Sequence, residues 1–504
     1  MTARKASKPV TAVEAARAVG ASDQLVKILE AGNVVSPRSL ANETLRTSIE
    51  PWNTRVAHGE SLRSSAPFEA HAHWTPAPDR ADPLAILAAS NVGRQSELVP
   101  LRMARMAESP FSFLRGAAAV MAADLAKAPS VGLNVVIDGD AHFNNFGLFG
   151  TPQRDVVLDL NDFDEVTIGP WEWDLKRLTA SINVAGRENG LNRRERRAAV
   201  IECVEGYRWN LDRVRSMPVL ELWYEHVLTN RLDGKAAKLD PKSAAVFRKA
   251  VDKAKATDNQ ALLTKIAERE ADGRWRFKQQ PPILVRVHGA LREAVIDGLE
   301  AYQPTLAPER QYMLRRYHVV DVAHRIVGVG SVGTRAYVVL LMGNGDLDPL
   351  FLQVKEATVP AHAPHLPPLP EAYQHEGRRV VFGQRLLQAA GDPLLGWTDV
   401  DGRPFYVRQM KNRKASIATE WLSGAPFNFF SWAYGSLLAR AHARSGDGAL
   451  ISGYCGKGGD FDNALADWAE AYAAQTRADH RTLVEAIAAG TIRADLRPGG
   501  IFGG

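Results

Sequence analysis

Cysteine is scarce in this chain of 504 residues, which contains only Cys203 and Cys455. Their wide separation matches neither a zinc-site spacing nor a disulfide framework, and it fits a reducing cytoplasm. Long hydrophobic runs are also missing, because the longest, Tyr337–Met342, is far shorter than the ~20 residues of a membrane helix. The opening MTARKASKPV has no apolar stretch behind its basic residues, so we expect no secretory signal. These features predict a cytoplasmic protein without a membrane partner.

A strong excess of one charge is missing as well, since the net charge is +5. That excess is too small over this length to indicate a nucleic-acid partner. The hydrophobic fraction of 45% is ordinary for a globular protein and supplies enough apolar material for a sizeable core.

The pattern along the chain predicts an α+β protein in four segments. Residues 1–100 are an N-terminal extension, and residues 101–315 form a mostly helical part that begins with a buried helix over Phe111–Ala126. Residues 316–411 contain short β-branched segments separated by Gly, Asn and Asp, which predicts a small antiparallel sheet. Residues 412–504 return to helical patterns.

A polar turn, GDAHFNN, follows the buried strand predicted at Leu133–Ile137. It places Asp140 five residues before Asn145, and phosphoryl transfer uses such a pair: a carboxylate that orients a hydroxyl and an amide that helps to hold magnesium. An Asp/Asn-rich turn whose side chains cap local backbone is an equally good interpretation of this segment alone.

A second acidic segment, NDFDE, follows the strand predicted at Asp155–Leu160. Asp162 in this segment is suited to magnesium, which takes few protein oxygens and completes its shell with phosphates and water. The alternative is a solvent-exposed acidic loop, which the flanking apolar residues disfavour.

The segment GVGSVG contains Gly328, Gly330, Ser331 and Gly333 in a GxGxxG pattern. A dinucleotide site requires a helix directly after these glycines, whereas the residues here read as a strand. The glycines therefore predict a hairpin over nucleotide phosphates, and Lys355, which ends the apolar run FLQVK, is placed as a phosphate-pairing lysine. A plain glycine hairpin and an edge lysine are the structural alternatives.

Together these segments resemble the bacterial family known as domain of unknown function 2252, which has been grouped with the protein-kinase-like superfamily. The resemblance rests on several stretches after residue 100: SPFSFLRGAA, GDAHFNNFG, GPWEWDLKRL, VGVGSVGTRAYVVLL, QVKEA and LLARAHARSGD. It implies a bilobed fold in permuted order, with the β-rich nucleotide lobe inserted between two parts of the helical lobe. The GDxHxxN loop is more similar to that of aminoglycoside- and choline-kinase-like enzymes than to that of protein kinases.

By this resemblance Asp140 is the catalytic base, Asn145 and Asp162 are metal ligands, and Lys355 pairs with the nucleotide phosphates. Asp174 matches an acid that braces the catalytic loop. His142 is placed as a second support of that loop through hydrogen bonding. The acidic partner of the lysine is not evident in the sequence, and Glu376 is the acidic candidate, with Gln384 on a neighbouring turn.

These residues predict a phosphotransferase that uses ATP and Mg²⁺ on a small-molecule acceptor. AMP transfer to protein hydroxyls by the same cleft and a non-catalytic nucleotide-binding scaffold are the alternatives. Three arginines before the catalytic strand, Arg102, Arg105 and Arg115, suit an anionic substrate or, alternatively, a solvated basic face.

Overall fold

The computed structural model describes residues 49–226, 240–326, 328–410 and 412–495. It is a mixed α+β structure with antiparallel sheets. Its α-helices, in chain order, are α1 Trp52–Ser61, α2 Glu69–Ala72, α3 Pro83–Ala89, α4 Val99–Ala107, α5 Pro110–Gly116, α6 Ala118–Leu125, α7 Trp171–Glu188, α8 Arg193–Val214, α9 Val219–Tyr224, α10 Pro241–Lys255, α11 Asn259–Ile266, α12 Gly289–Tyr302, α13 Pro308–Leu314, α14 Glu376–Leu387, α15 Gly424–Ser445, α16 Gly448–Cys455 and α17 Asp460–Ala488.

The strands form four small sheets within the described chain. They are β1 Asn134–Ile137, β2 Phe146–Gly150, β3 Val156–Leu160, β4 Thr167–Pro170, β5 Ala267–Arg269, β6 Trp275–Phe277, β7 Leu284–Arg286, β8 His318–Arg325, β9 Ala336–Met342, β10 Pro349–Glu356, β11 Gly396–Val400, β12 Arg403–Gln409 and β13 Ala415–Ser416. The largest sheet has the order β11-β12-β10-β9-β8-β7, and the smaller ones are β1-β4, β13-β2-β3 and β5-β6.

The six-stranded sheet is covered by apolar residues on both faces, because side chains alternate along each strand. On β9, Val339 and Leu341 join a core with helix α12, while Val338 and Leu340 join a second core with helix α11. Both faces are therefore buried, which explains why β9 and β10 contain continuous apolar runs.

A separate and larger core gathers α7, α8, α10, α15, α16 and α17 around strands β1 to β4. Helices α8 and α15 approach each other closely, and glycines lie at the contact. A Cβ added at Gly435 would be 1.9 Å from the carbonyl oxygen of Cys203, and one added at Gly206 would be 2.2 Å from that of Trp432. The two cysteines are buried and free.

The part of the chain that packs on the six-stranded sheet begins earlier than the predicted boundary at residue 316. Helix α11, strand β7 and helix α12 all contribute to its cores. The predicted boundary fails because helices in this region cover the sheet, so a change from helical to β-rich sequence does not mark it. The predicted helix over Phe111–Ala126 is also divided, since α5 ends at Gly116 and α6 begins at Ala118, with Ala117 between them.

Within the predicted N-terminal extension, Leu62 and Ala66 join the larger core, whereas Leu87 and Leu98 lie in two smaller cores, and residues 1–48 lie outside the described chain. Arg80 forms ion pairs with Asp124 at 2.8 Å and with Asp479 at 2.7 Å, which ties this segment to α6 and α17. No helix in the described residues is long and apolar enough to span a membrane.

Candidate active site

The loop between β1 and β2 carries Asp140, His142 and Asn145 in a tight turn. The amide of His142 donates to the carbonyl of Asp140 at 2.6 Å, and the amide of Asn145 donates to the carbonyl of His142 at 2.7 Å. Gly139 has a φ of 79°, and a Cβ there would lie 2.2 Å from the carbonyl oxygen of Glu165. Only glycine fits this position, because both the backbone conformation and the space exclude a side chain.

Asp174, in the first turn of α7, anchors the start of this loop. Its two carboxylate oxygens accept hydrogen bonds from the amides of Asp138 at 2.7 Å and Gly139 at 2.9 Å. His442 contacts Asp174 at 3.2 Å through Nε2, and its Nδ1 lies 2.7 Å from the Tyr207 hydroxyl. The bracing acid predicted at Asp174 is thus placed where it fixes the loop backbone.

Asp140 lies beside Arg177, whose Nε donates to its Oδ1 at 2.6 Å. Burial raises the pKa of Asp140 to about 7, and Glu165 adds to this effect while Arg177 and Arg115 oppose it. A carboxyl with such a pKa can accept a proton near neutral pH, as a general base requires.

His142 lies against the same carboxylate, with its Nε2 3.8 Å from Asp140 Oδ2. Its Nδ1 accepts a hydrogen bond from the amide of Asn144 at 3.1 Å. Burial and the nearby Arg115 and Arg177 hold its pKa well below the usual value, so the ring is neutral. A neutral ring that bonds within the turn is suited to supporting its conformation.

Asn145 links the two polar loops of the site. Its Oδ1 accepts from the amide of Asp162 at 2.9 Å, and its Nδ2 donates to Asp138 at 2.8 Å and to the Asp162 carbonyl at 3.0 Å. The amide side chain therefore holds the Asp162 loop against the Asp140 loop, and its oxygen retains one lone pair.

Lys355, at the end of β10, reaches the acidic loop after β3. Its Nζ is 3.4 Å from Asp162 Oδ2 and forms an ion pair with Asp164. Burial alone would lower the pKa of Lys355, but the two carboxylates outweigh it and the pKa is raised. Burial would raise the pKa of Asp162, yet Lys355, Arg408 and Lys414 lower it. The two groups are therefore a charged pair at neutral pH.

Glu376 does not take the place predicted for it as the partner of Lys355. Its carboxylate pairs with Arg379, one turn further along α14, and Gln384 donates to Gln388 at 3.0 Å. The acids beside Lys355 are Asp162 and Asp164 instead. The Arg379 side chain of α14 donates to the carbonyl groups of Asp164 and Val166, and Glu376 accompanies it.

The glycine loop joins β8 to β9, which pair as antiparallel neighbours. Gly328 and Gly333 have positive φ angles of 72° and 90°. The loop is held down by the segment before α5: Arg105 donates to the carbonyl of Gly328, and the Gln95 amide donates to that of Gly333 at 2.8 Å. A strand follows Gly333, so the loop lacks the helix that a dinucleotide site requires.

The tip of the glycine loop meets helix α5. A Cβ at Gly330 would be 3.1 Å from the carbonyl oxygen of Arg115, and Ser331 accepts a hydrogen bond from Thr334 through its backbone carbonyl. The loop predicted to cover phosphates and the loop with Asp140 are thus connected through α5.

Sequence reasoning missed Asp164, Arg177 and Tyr406. Asp164 belongs to the same acidic segment as Asp162, and it also accepts from the Tyr406 hydroxyl at 2.8 Å. Arg177 lies three residues after Asp174 on α7, and residues at that spacing share a helix face. The spacing was therefore a usable signal for Arg177, whereas the Tyr406 contact depends on the fold.

The described residues contain no group of three or more His, Cys, Asp or Glu side chains arranged to hold a metal ion. Asp162 Oδ1 and Asp138 Oδ1 are nevertheless buried oxygens without a hydrogen-bond partner in the described chain. Magnesium needs only one or two protein carboxylates when phosphates and water complete its coordination. The donor set fits a nucleotide-bound magnesium ion and does not fit an all-protein metal cage.

Comparisons with known proteins identify a family for this chain. No curated protein and no solved structure matches the chain. A sequence model of the family described as "Uncharacterized protein conserved in bacteria (DUF2252)" matches residues 94–486, which include every side chain of the site described above. The chain belongs to this bacterial family of uncharacterized proteins.

Proposed function

We propose that this protein is a phosphotransferase that uses ATP and Mg²⁺ to phosphorylate a small-molecule acceptor, on a bilobed, kinase-like fold in permuted order. The observation that supports this most directly is the contact of Lys355 with Asp162 and Asp164. It joins the sheet that carries the glycine loop to the acidic loop beside Asp140, although 193 residues separate Lys355 from Asp162.

The division of roles follows from the charges. The glycine loop supplies a backbone that can lie close to phosphates, and Lys355 is the buried cation that meets them. Asp162 and Asn145 would hold the magnesium ion, which neutralises phosphate charge when bound. Asp162 offers a side chain that is 46% exposed for this purpose, together with its unpartnered Oδ1.

Asp140 is the group that orients the acceptor hydroxyl and takes its proton. In the transfer, the terminal phosphoryl group leaves the β-phosphate oxygen and forms a bond to the hydroxyl oxygen, while the hydroxyl proton passes to the Asp140 carboxylate. Arg177 fixes the orientation of this carboxylate. Most of the rate enhancement would then come from positioning and from charge neutralisation.

The experiment is ATP turnover by the full chain and by Asp162→Ala, Asp140→Ala and Asp297→Ala. We expect Asp162→Ala to abolish turnover and Asp140→Ala to lower it by a factor of about 10² or more. Asp297 is an exposed residue of α12, so its variant is the control for loss of one carboxylate. Unchanged activity in both site variants contradicts the proposal.

A non-catalytic nucleotide-binding scaffold is the second candidate, and the position of Glu376 favours it. The acidic partners of Lys355 lie in the acidic loop after β3, whereas Glu376 pairs with Arg379. The scaffold predicts thermal stabilisation by ATP without turnover. Mass spectrometry of modified products separates phosphoryl transfer from AMP transfer, because the two groups differ greatly in mass.

A further inference from the structure

Arg115 is an arginine next to the site whose side chain forms no ion pair or hydrogen bond among the described residues. Its Nε is buried and has no hydrogen-bond partner among the described residues. The two arginines near it in sequence have structural partners: Arg102 donates to Asn91 and to the Gly116 carbonyl, and Arg105 donates to the Gly328 carbonyl. Burying an arginine nitrogen without a partner is costly, so this position is suited to an anion.

The last turn of α5 places Arg115 between the glycine loop and Asp140. The carbonyl of Arg115 lies against Gly330 at the tip of that loop. The preceding carbonyl, of Leu114, accepts from Arg177 at 2.9 Å, and the same guanidinium bonds Asp140. Phe111, one turn earlier, contacts the His142 ring at a centroid distance of 6.2 Å. Helix α5 is therefore fixed to both parts of the site.

The surroundings of the Arg115 side chain agree with this placement. Burial lowers the pKa of Arg115, and the charges of Asp140, Asp162 and Glu420 oppose this shift without cancelling it. None of the three carboxylates forms an ion pair with it in the described chain. An arriving phosphate would supply the missing counter-charge.

We propose that Arg115 binds the terminal phosphate of the nucleoside triphosphate. This inference rests on the proposed function. A guanidinium presents paired N–H donors that match two phosphate oxygens, and an arginine over the terminal phosphate neutralises the charge that is moved in the transfer. The Arg115 carbonyl lies against the tip of the glycine loop, and the Leu114 carbonyl bonds the arginine that holds Asp140, so this turn of α5 lies between the loop proposed to cover the phosphates and the carboxylate proposed to orient the acceptor.

Calorimetry tests this inference. ADP and a non-hydrolysable ATP analogue are each titrated into the full chain in the presence of Mg²⁺. We expect Arg115→Met to weaken binding of the triphosphate analogue about 10- to 100-fold, as expected for a lost charged hydrogen bond, and to leave ADP binding unchanged. Arg115→Lys should restore part of the difference. Arg193→Met, which removes an 81% exposed arginine of α8, is the control for charge.

The source of the anion is decided by titrating inorganic phosphate into the ADP-loaded protein. If Arg115→Met abolishes the binding of inorganic phosphate to the ADP-loaded protein but leaves the affinity for the triphosphate unchanged, Arg115 binds an anionic group of the acceptor and the inference is wrong. Equal losses for both nucleotides also overturn it. A wild-type chain that binds neither nucleotide overturns the proposed function itself, whereas nucleotide binding unaffected by Arg115→Met overturns only this inference. Unfolding temperatures of all variants confirm that each one is folded.

Discussion

Asp174 holds the loop between β1 and β2 through two hydrogen bonds to backbone amides. In Asp174→Ala the amides of Asp138 and Gly139 remain buried without an acceptor. We expect the free energy of unfolding to fall by about 3 kcal/mol, because each unsatisfied buried group costs roughly 1–3 kcal/mol. Urea denaturation measures this change. Asp297→Ala should stay within about 0.5 kcal/mol of wild type, and an equally small effect of Asp174→Ala would show that the loop is anchored elsewhere.

Single residues of the site could be predicted where a short motif carries the chemistry. Asp140, Asp162 and Lys355 follow from their positions at the ends of apolar strands, and the structure brings the last two into contact. Glu376 was a wrong choice as the partner of Lys355, because helical spacing gives the face of a residue and not the element that this face meets. The catalytic and metal-binding roles of these residues remain predictions.

At the scale of elements, helices α8 and α15 pack closely against each other at glycines. Gly435→Ala places a methyl group against the Cys203 backbone, which cannot move independently of α8. We expect a loss of about 3 kcal/mol, at the upper end of the range for overpacking. Thermal and urea unfolding measure it.

The control for this substitution is Gly391→Ala, since a Cβ at Gly391 meets no atom within 4 Å and its φ is not positive. It should be neutral or slightly stabilising, through the entropy of the unfolded chain. If Gly435→Ala is equally neutral, the two helices are separated by more than the structure shows.

Element types were easier to predict than element membership. The strands predicted at Leu133–Ile137 and Asp155–Leu160 are present with bounds shifted by one residue. The part of the chain that packs on the six-stranded sheet starts earlier than the sequence suggests. One reason is that β7 has only three residues, and another is that the periodicity of α12 is the same whichever core the helix covers. The break at Ala117 directly follows Gly116, the last residue of α5, so a glycine signal was present next to it.

At the scale of the whole molecule, the sequence could not fix which distant segments meet. The larger core combines residues up to 254 with residues from 357 onward, and one core of the six-stranded sheet combines residues 287–354 with residues 394–407. The permuted order that the motifs suggest stays a prediction. It depends on non-local packing, however, and local periodicity contains no information about that packing.

The N-terminal and C-terminal parts of the described chain meet at His71, and this contact predicts how overall stability depends on pH. The ring is fully buried, 2.8 Å from the Tyr454 hydroxyl. Burial, with a smaller effect of Lys176, lowers the pKa of His71 from 6.5 to about 3. Between pH 6.5 and 3 the unfolded chain binds a proton that the folded chain does not, so stability falls as the pH falls.

We expect His71 alone to remove on the order of 2 kcal/mol from the free energy of unfolding between pH 7 and pH 5. His71→Gln has no titrating side chain at this position. Its free energy of unfolding should therefore fall by about 2 kcal/mol less than that of the wild type between pH 7 and pH 5, although the variant is less stable at pH 7. Urea denaturation at the two pH values measures both. His58→Gln removes an exposed histidine of α1 and should retain the wild-type dependence. If His71→Gln retains it too, the ring does not stay neutral in the folded protein, and the junction between the two ends of the chain is more open to water than its packing implies.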